Sequence, residues 1–402
     1  MHMRIMLLNQ FFWPDTSATS QILSDAARFL NREHEVIVIC SRGKDGGSCD
    51  DSKFADGVSI IRTRSTKFSR RTHQRVFSYL SYFASCFYRG LTNKRADVYV
   101  TLTTPPLLPL IGSLMSILRR SKHVIWEMDV YPDIATDIQY LKPDGLIARM
   151  SGFLLDWSRR RATTIIVLGE DMKDRLKARG IADKNIFMVE NWADGDEIEP
   201  NEFPSGPLVI QYSGNLGLAH DVSTIQETIR QLANHLDFRF VFIGGGPRRQ
   251  PLQDFCRSQG ITNAEFRPHC ERSGLGKSLS EGHVGLVTQI PKTLGSVVPS
   301  KTYGIMAAGR PVLFIGPARS TPARHIKKYR CGWHIEPGDV DALVSLLLRL
   351  RDDRQLIVEA GERARHAFDS NFNSEIGLAS IKRVIESTSL SHQLSSPLKV
   401  TT

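Results

Sequence analysis

The chain has 402 residues, enough for two cores rather than one, and its 41% hydrophobic and 23% charged composition marks a globular protein. A net charge of +10 favours acidic partners: phosphorylated ligands, nucleic acid or an anionic membrane. The six cysteines (Cys40, Cys49, Cys86, Cys256, Cys270, Cys331) show no CxxC spacing, which argues against a zinc or redox site and for buried thiols in a reducing compartment.

The first apolar run, "RIMLLNQ", reads as a buried strand; no small-residue cleavage site follows it, so no secretory signal is expected. "SQILSDAARFLNRE" has helical spacing, and "HEVIVICSRG" is a second strand ending in a polar loop. "DVYVTLT", a helix after "TTPPL", "HVIWEMD", a long helix from about Pro143 to Arg161, and "TTIIVLG" continue the series. The longest apolar run, "PPLLPLIGSLMSILRR", has about a dozen apolar positions, too few to span a bilayer. Strands alternating with helices predict a parallel α/β sheet with crossover helices.

The cadence breaks at "NIFMVENWADGDEIEPNEFPSGP", an acidic stretch rich in Gly and Pro that reads as a linker between domains. A second series follows: "LVIQYSGNLG", "FRFVFIGGGP", "AEFRPHC", "VGLVTQI", "RPVLFIG" and "GWHIEPGD", separated by helices. The expected organisation is a first domain over 1–195, a second over 206–365, a helix over 366–387 that crosses back, and a disordered tail over 388–402.

Three loops in the second half suit phosphate. Gly214, Asn215 and Gly217 in "YSGNLGLAHD", and Gly244 to Gly246 with Arg248 and Arg249 in "FIGGGPRRQ", let backbone amides approach a diphosphate. A plain strand-to-helix turn explains each glycine group equally well. In "VVPSKTYGIMAAGRPVL", Ser300 is placed to cap a helix and Lys301 sits in its first turn, where the dipole opposes a cation unless an anion is bound. All three loops follow strands, so they converge on one crevice.

With these motifs in view, the chain resembles a GT-B glycosyltransferase of family four, over nearly its whole length. The resemblance is carried by "NQFFWPDTSATSQILSDAARFLNREHEVIVIC", "TLTTPPLLPL", "WEMDVYPD", "YSGNLGLAHDVSTI", "FIGGGP" and "PSKTYGIMAAGRPVL". It implies two Rossmann-like domains facing a central cleft and retaining transfer from a nucleoside diphosphate sugar, UDP-linked by expectation, without a metal or other cofactor. It is similar to the bacterial surface-polysaccharide subgroup that builds capsule, O-antigen or colanic acid. The implied donor-binding set is Gly214, Asn215, Gly217, Gly245, Arg248, Arg267, His269, Ser300, Lys301 and Tyr303. Two departures stand out. Asn215 and His220 replace an Arg and a Lys that many members use on the diphosphate, and Ser296 and Gly304 stand where many members carry a Glu-x7-Glu pair. "DGD" at 194–196 looks like a metal motif of another glycosyltransferase architecture, but it falls in the linker.

In the first half, Trp13, Thr16 and Ser17 are expected to line an acceptor or phosphate loop, although helix capping alone explains one hydroxyl. Glu127, Asp129 and Asp133 lie at a strand's carboxyl end and form the expected catalytic set, with Asp129 positioned for the acceptor hydroxyl. Residues 61–95 hold seven arginines, two lysines and no acid, interleaved with aromatics. Arg70, Arg71, Arg75 and Phe83 are therefore expected at an anionic membrane; a helix whose core face is Phe77, Leu80, Phe83 and Phe87 is the plain alternative, and nucleic acid is not expected.

The expectation is a metal-independent hexosyl- or N-acetylhexosaminyltransferase, peripheral on the cytoplasmic face of the cell membrane, with a lipid-linked or oligosaccharide acceptor. The alternatives are a nucleotide-sugar 2-epimerase of the same fold and a non-catalytic nucleotide-sugar binder.

Overall fold

The computed structural model describes residues 2–15, 17–42, 51, 54, 57–63 and 72–390. Thr16, Arg70, Arg71, the side chain of Arg75 and the tail beyond Leu390 lie outside the described residues. Residues 1–168, 173–189 and 378–402 form one compact unit, and residues 169–172 and 190–377 form another.

Among the described residues, the first unit is built on seven parallel strands: β1 (Arg4–Leu8), β2 (Glu35–Ser41), β3 (Ser59–Thr63), β4 (Val98–Thr101), β5 (Lys122–Trp126), β6 (Thr164–Val167) and β7 (Ile186–Met188). Their order is β3-β2-β1-β4-β5-β6-β7, with Leu8 paired to Ile39 on one side and to Thr101 on the other. The central strands are apolar on both faces because helices cover both faces of the sheet. Those helices are α1 (Ala18–Leu30), α2 (Thr72–Thr92), α3 (Leu108–Arg119), α4 (Asp133–Asp137) and α5 (Leu146–Arg161); α6 (Glu170–Ala178) begins in the second unit and ends in the first. The strand order reverses between β1 and β4, so the loops after those strands flank the switch point where open parallel sheets bind ligands. Among the described residues no helix is long and apolar enough to cross a membrane.

The second unit has six parallel strands: β8 (Leu208–Ser213), β9 (Phe238–Ile243), β10 (Ala264–Arg267), β11 (Val284–Thr288), β12 (Val312–Ile315) and β13 (Gly332–Ile335). Their order is β10-β9-β8-β11-β12-β13, with the switch between β8 and β11. Its helices are α7 (Ser223–Gln231), α8 (Arg249–Ser258), α9 (Leu275–Ser280), α10 (Lys301–Ala307), α11 (Thr321–Tyr329), α12 (Val340–Asp352) and α13 (Gln355–Asn371). Ile210, Ile229, Phe240, Leu286 and Leu313 centre its core. Asp339 caps α12, its Oδ1 accepting from the Ala342 amide at 3.1 Å.

The last helix, α14 (Ser374–Leu390), leaves the second unit and joins the first from Leu378 on. There Lys382 pairs with Glu33 at 2.5 Å, Glu386 with His34 at 3.1 Å, and Thr388 Oγ1 lies 2.8 Å from Thr164 Oγ1. The helix therefore runs three residues into the stretch expected to be tail, because Thr388 is buried there rather than solvated.

Candidate functional site

The second unit gathers its glycines at the carboxyl ends of β8 and β9. Gly214, Gly244 and Gly246 have φ of +123°, +118° and +117°, a region costly for any residue with a side chain. Packing demands glycine as well: a Cβ on Gly244 would lie 2.3 Å from the Gly214 carbonyl oxygen, and one on Gly246 would lie 2.4 Å from that of Leu216. The Gly214 amide donates to Ile243 at 2.8 Å and the Leu216 amide to Gly245 at 2.7 Å, locking the two loops together. Among the described residues, the amides of Asn215, Gly217, Gly245 and Gly246 enter none of these backbone bonds.

Lys301 lies against this pair of loops. Its Cε would be 2.7 Å from a Cβ on Gly214, and its Nζ is 5.2 Å from the centre of the Tyr212 ring. Burial pulls the ammonium down to about 8. The Tyr212 hydroxyl donates to the Asn215 carbonyl at 2.8 Å, so one ring holds the glycine loop and faces the lysine. Nothing in the sequence pattern singled out Tyr212, which reads there as one more apolar strand residue. His220 donates from Nδ1 to the Thr288 carbonyl at 2.7 Å, which leaves Nε2 as an acceptor. Burial first, and the Lys301 charge second, drive His220 down to about 3, so it is neutral at pH 7 and supplies no cation. Arg248 stays close to the loop, reaching the Leu218 carbonyl at 3.4 Å, whereas Arg249 turns to the Phe266 ring at 5.6 Å.

Several residues named from the sequence have other work in the structure. Ser300 forms no side-chain cap; its backbone is already helical, at φ −73° and ψ −16°, rather than in the extended geometry of a capping residue. Helix α10 spans only seven residues, so the cationic role rests on Lys301 more than on the dipole. Tyr303 is buried in the core, packed on Phe372 and donating to Glu190 at 3.3 Å. The Arg267 guanidinium is committed to Glu265 and Glu281, and only its carbonyl meets the glycine loop, accepting from the Gly244 amide at 3.1 Å. His269 is exposed in the loop after β10. Where many relatives carry a Glu pair, Ser296 is fully buried and donates to the Thr293 carbonyl at 3.1 Å. A Cβ on Gly304 would touch Leu279 and Ile198. In the linker "DGD", the Asp194 carboxylate accepts from the amides of Asp196 and Glu197 and shapes a turn.

In the first unit, the three carboxylates after β5 separate by environment. Glu127 is fully buried and bound to Arg159 Nε at 2.7 Å, while Arg159 also donates to Asp156 and to the Tyr131 carbonyl. It anchors the loop and does not face an open site, contrary to its expected catalytic place. Asp133 accepts from Arg175 and Arg179 at 2.7 and 2.8 Å, so both its oxygens are engaged. Asp129 alone of the three is half-buried, and among the described residues no arginine pairs with its carboxylate; its amide donates to Thr103 Oγ1 at 3.3 Å. Burial, then the neighbouring Glu127 charge, push its carboxyl up to about 6.

The loop after β1 carries Trp13, whose ring lies 5.6 Å from Phe54 and whose carbonyl accepts from Arg62. Ser17 precedes α1 but makes no capping bond; its amide donates to Asp15 at 2.9 Å, and its buried hydroxyl has no partner among the described residues. On α2, Tyr82 and Cys86 are fully buried, with Phe83 and Phe87 packed beside them, while Phe77, Leu80 and Tyr88 are exposed. Phe83 thus belongs to the inner side of the helix rather than to its outer surface.

Two Rossmann-like parallel-sheet units with glycine loops at the strand ends define the GT-B architecture. Residues 18–192 match the family "Glycosyl transferase 4-like domain" and residues 194–367 the family "Glycosyl transferases group 1". The chain belongs to this two-part glycosyltransferase family. It is 27% identical over 264 residues to "Probable glycosyltransferase WbjE" of Pseudomonas aeruginosa, covering 63% of this chain and 66% of that one. It is 26% identical over 195 residues to "Putative colanic acid biosynthesis glycosyl transferase WcaI" of Escherichia coli K12, covering 45% of this chain and 47% of that one. The matched region thus spans slightly less than two thirds, and about half, of those relatives. The crystal structure of Anabaena HepE in complex with UDP-glucose superposes with a TM-score of 0.72 at 13% identity, covering 96% of this chain and all of that one.

Proposed function

We propose that the protein moves a hexosyl or N-acetylhexosaminyl group from a UDP-linked sugar to a hydroxyl of a lipid-borne glycan, in the building of a surface polysaccharide. One observation carries the reading: Lys301 lies against the Gly214 loop, Arg248 reaches the Leu218 carbonyl beside it, and the amides of Asn215, Gly217 and Gly245 enter none of the backbone bonds that lock the two loops together. A buried ammonium beside unspent amides is complementary to a diphosphate. The names of WbjE and WcaI, and the UDP-glucose in HepE, support the donor and pathway class.

In this reading the second unit holds the departing diphosphate, which takes the acceptor proton, so transfer proceeds with retention and without a metal. Asp129 of the first unit meets the acceptor hydroxyl and offsets positive charge developing on the sugar. Trp13 and Ser17 line the acceptor side. The enzyme works at the cytoplasmic membrane face as a peripheral protein. The test is nucleotide release from labelled UDP-sugars with a membrane-extracted acceptor and a chelator present. A new glycosylated lipid with stoichiometric UDP supports the proposal. An altered sugar nucleotide without acceptor turnover supports an epimerase instead, and binding without any product leaves only a binder.

A further inference from the structure

His220 stands where the two halves of the second sheet diverge. The strand order reverses between β8 and β11, and open parallel sheets bind ligands at that reversal. His220 follows the glycine loop after β8, and its Nδ1 donates to the carbonyl of Thr288, the last residue of β11, at 2.7 Å. Beside it the Ile290 amide donates to the Ala219 carbonyl at 2.9 Å, so the loops after β8 and β11 are tied twice across the reversal. The imidazole packs edge-on against Tyr212, with ring centres 5.7 Å apart. A Cβ on Gly217 would lie 3.8 Å from His220 Cδ2, the carbon bonded to Nε2. The edge of the ring that carries Nε2 is therefore turned to the glycine loop.

The chemistry of that edge is opposite to that of its neighbours. Lys301, Arg248 and the amides of Asn215, Gly217 and Gly245 are donors, suited to the oxygens of a diphosphate. Nδ1 holds the ring proton against a carbonyl, which only accepts, so Nε2 carries a bare lone pair. Burial first, then the Lys301 and Arg248 charges, keep a second proton off the ring. Among the described residues no group donates to Nε2, and the ring is half-buried rather than sealed in the core. A lone pair among donors calls for a donor from the ligand. An ionised diphosphate has none, whereas the sugar hydroxyls of a nucleoside diphosphate sugar supply one. We propose that His220 is a specificity-determining residue, accepting at Nε2 a hydrogen bond from a hydroxyl of the donor, on its ribose or on the transferred sugar. The proposal rests on the donor reading above and adds to it what the site demands beyond a diphosphate. A site built to pair with a hydroxyl rejects the analogue that lacks it.

The experiment is calorimetry on the full chain with UDP, UDP-glucose, UDP analogues lacking one ribose hydroxyl each, and UDP-glucose analogues lacking one glucose hydroxyl each. Two variants separate the nitrogens of the ring. His220→Asn keeps an amide donor near the Nδ1 position for the Thr288 carbonyl and removes the Nε2 acceptor. His220→Gln places an acceptor near the Nε2 position and gives up the Thr288 bond. The unaltered protein is expected to bind one analogue about three- to tenfold more weakly than its parent. His220→Asn should lose the same factor on the parent and nothing further on that analogue, while His220→Gln keeps part of the discrimination. The analogue so coupled identifies the hydroxyl as one of the ribose or one of the glucose. If the ring only braced the loops, His220→Asn would be the milder change and every ligand would lose affinity equally. That pattern, or the absence of any analogue coupled to His220→Asn, overturns the proposal. Either variant alone decides the matter, with its melting temperature as the check on folding. Failure of the unaltered protein to bind both UDP and UDP-glucose overturns the donor reading itself; binding without a coupled analogue overturns only the role of His220.

Discussion

Lys301 keeps its ammonium where burial opposes charge, and Asp129 keeps its carboxylate under the same pressure. Lys301→Ala removes a charge-assisted contact to the donor diphosphate, an effect of about 1.5–3 kcal/mol. Calorimetry should then show donor affinity lower by about ten- to a hundredfold. The two shifts also set a pH profile. A carboxyl raised to about 6 is ionised only above that pH, and an ammonium lowered to about 8 is charged only below it. The rate should therefore be bell-shaped with limbs near about 6 and about 8, and Asp129→Asn should abolish the acid limb along with most of the rate. Because the folded Asp129 pKa lies above the unfolded value, its ionisation opposes folding above the unfolded pKa. Asp129→Asn should thus raise stability at pH 7 by on the order of 2 kcal/mol, read as a higher melting temperature. An inactive variant that is also less stable contradicts the assignment.

At the scale of elements, the glycine loops and the loop after β5 are fixed by different means. Gly214→Ala combines a φ of +123° with a Cβ 2.7 Å from Lys301 Cε. It should cost about 1–3 kcal/mol of stability and displace the lysine, lowering donor affinity together with melting temperature. Glu127→Ala leaves the buried Arg159 Nε without its acceptor while Asp156 and the Tyr131 carbonyl still hold the guanidinium, and should cost about 1–3 kcal/mol by denaturant titration. These contrasts show what the sequence made legible. The strands stand out because buried parallel strands are continuous apolar runs; the glycine loops stand out only by following those runs, since a plain turn explains their glycines equally well. The roles of Glu127 and Asp133 were hidden because their arginines lie far along the chain: Arg159 is 32 positions from Glu127, and Arg179 is 46 from Asp133. Tyr303 was misplaced for a similar reason, since its partners Glu190 and Phe372 come from segments distant in sequence. On α2 the aromatics recur on two sides, and only packing decides that Phe83 and Phe87 turn inward while Phe77 and Leu80 stay exposed.

Over the whole molecule, α14 ties the end of the chain to the first unit. Removing residues 374–390 would expose what Ile381 and Ile385 cover and break the Lys382–Glu33 pair. That should lower the unfolding transition of the first unit by about 4 kcal/mol or more while leaving donor affinity within about twofold, because the donor loops belong to the second unit. Loss of donor binding in step with that transition would mean that the loops are misassigned. The most direct measurement is donor affinity against pH for the unaltered protein and for Lys301→Met, using UDP-glucose, whose diphosphate charge is constant across neutral pH. Affinity of the unaltered protein should fall as pH rises through about 8, where the ammonium is lost, and Lys301→Met should bind weakly and without that dependence. A flat profile for the unaltered protein, or equal affinity in the variant, contradicts it.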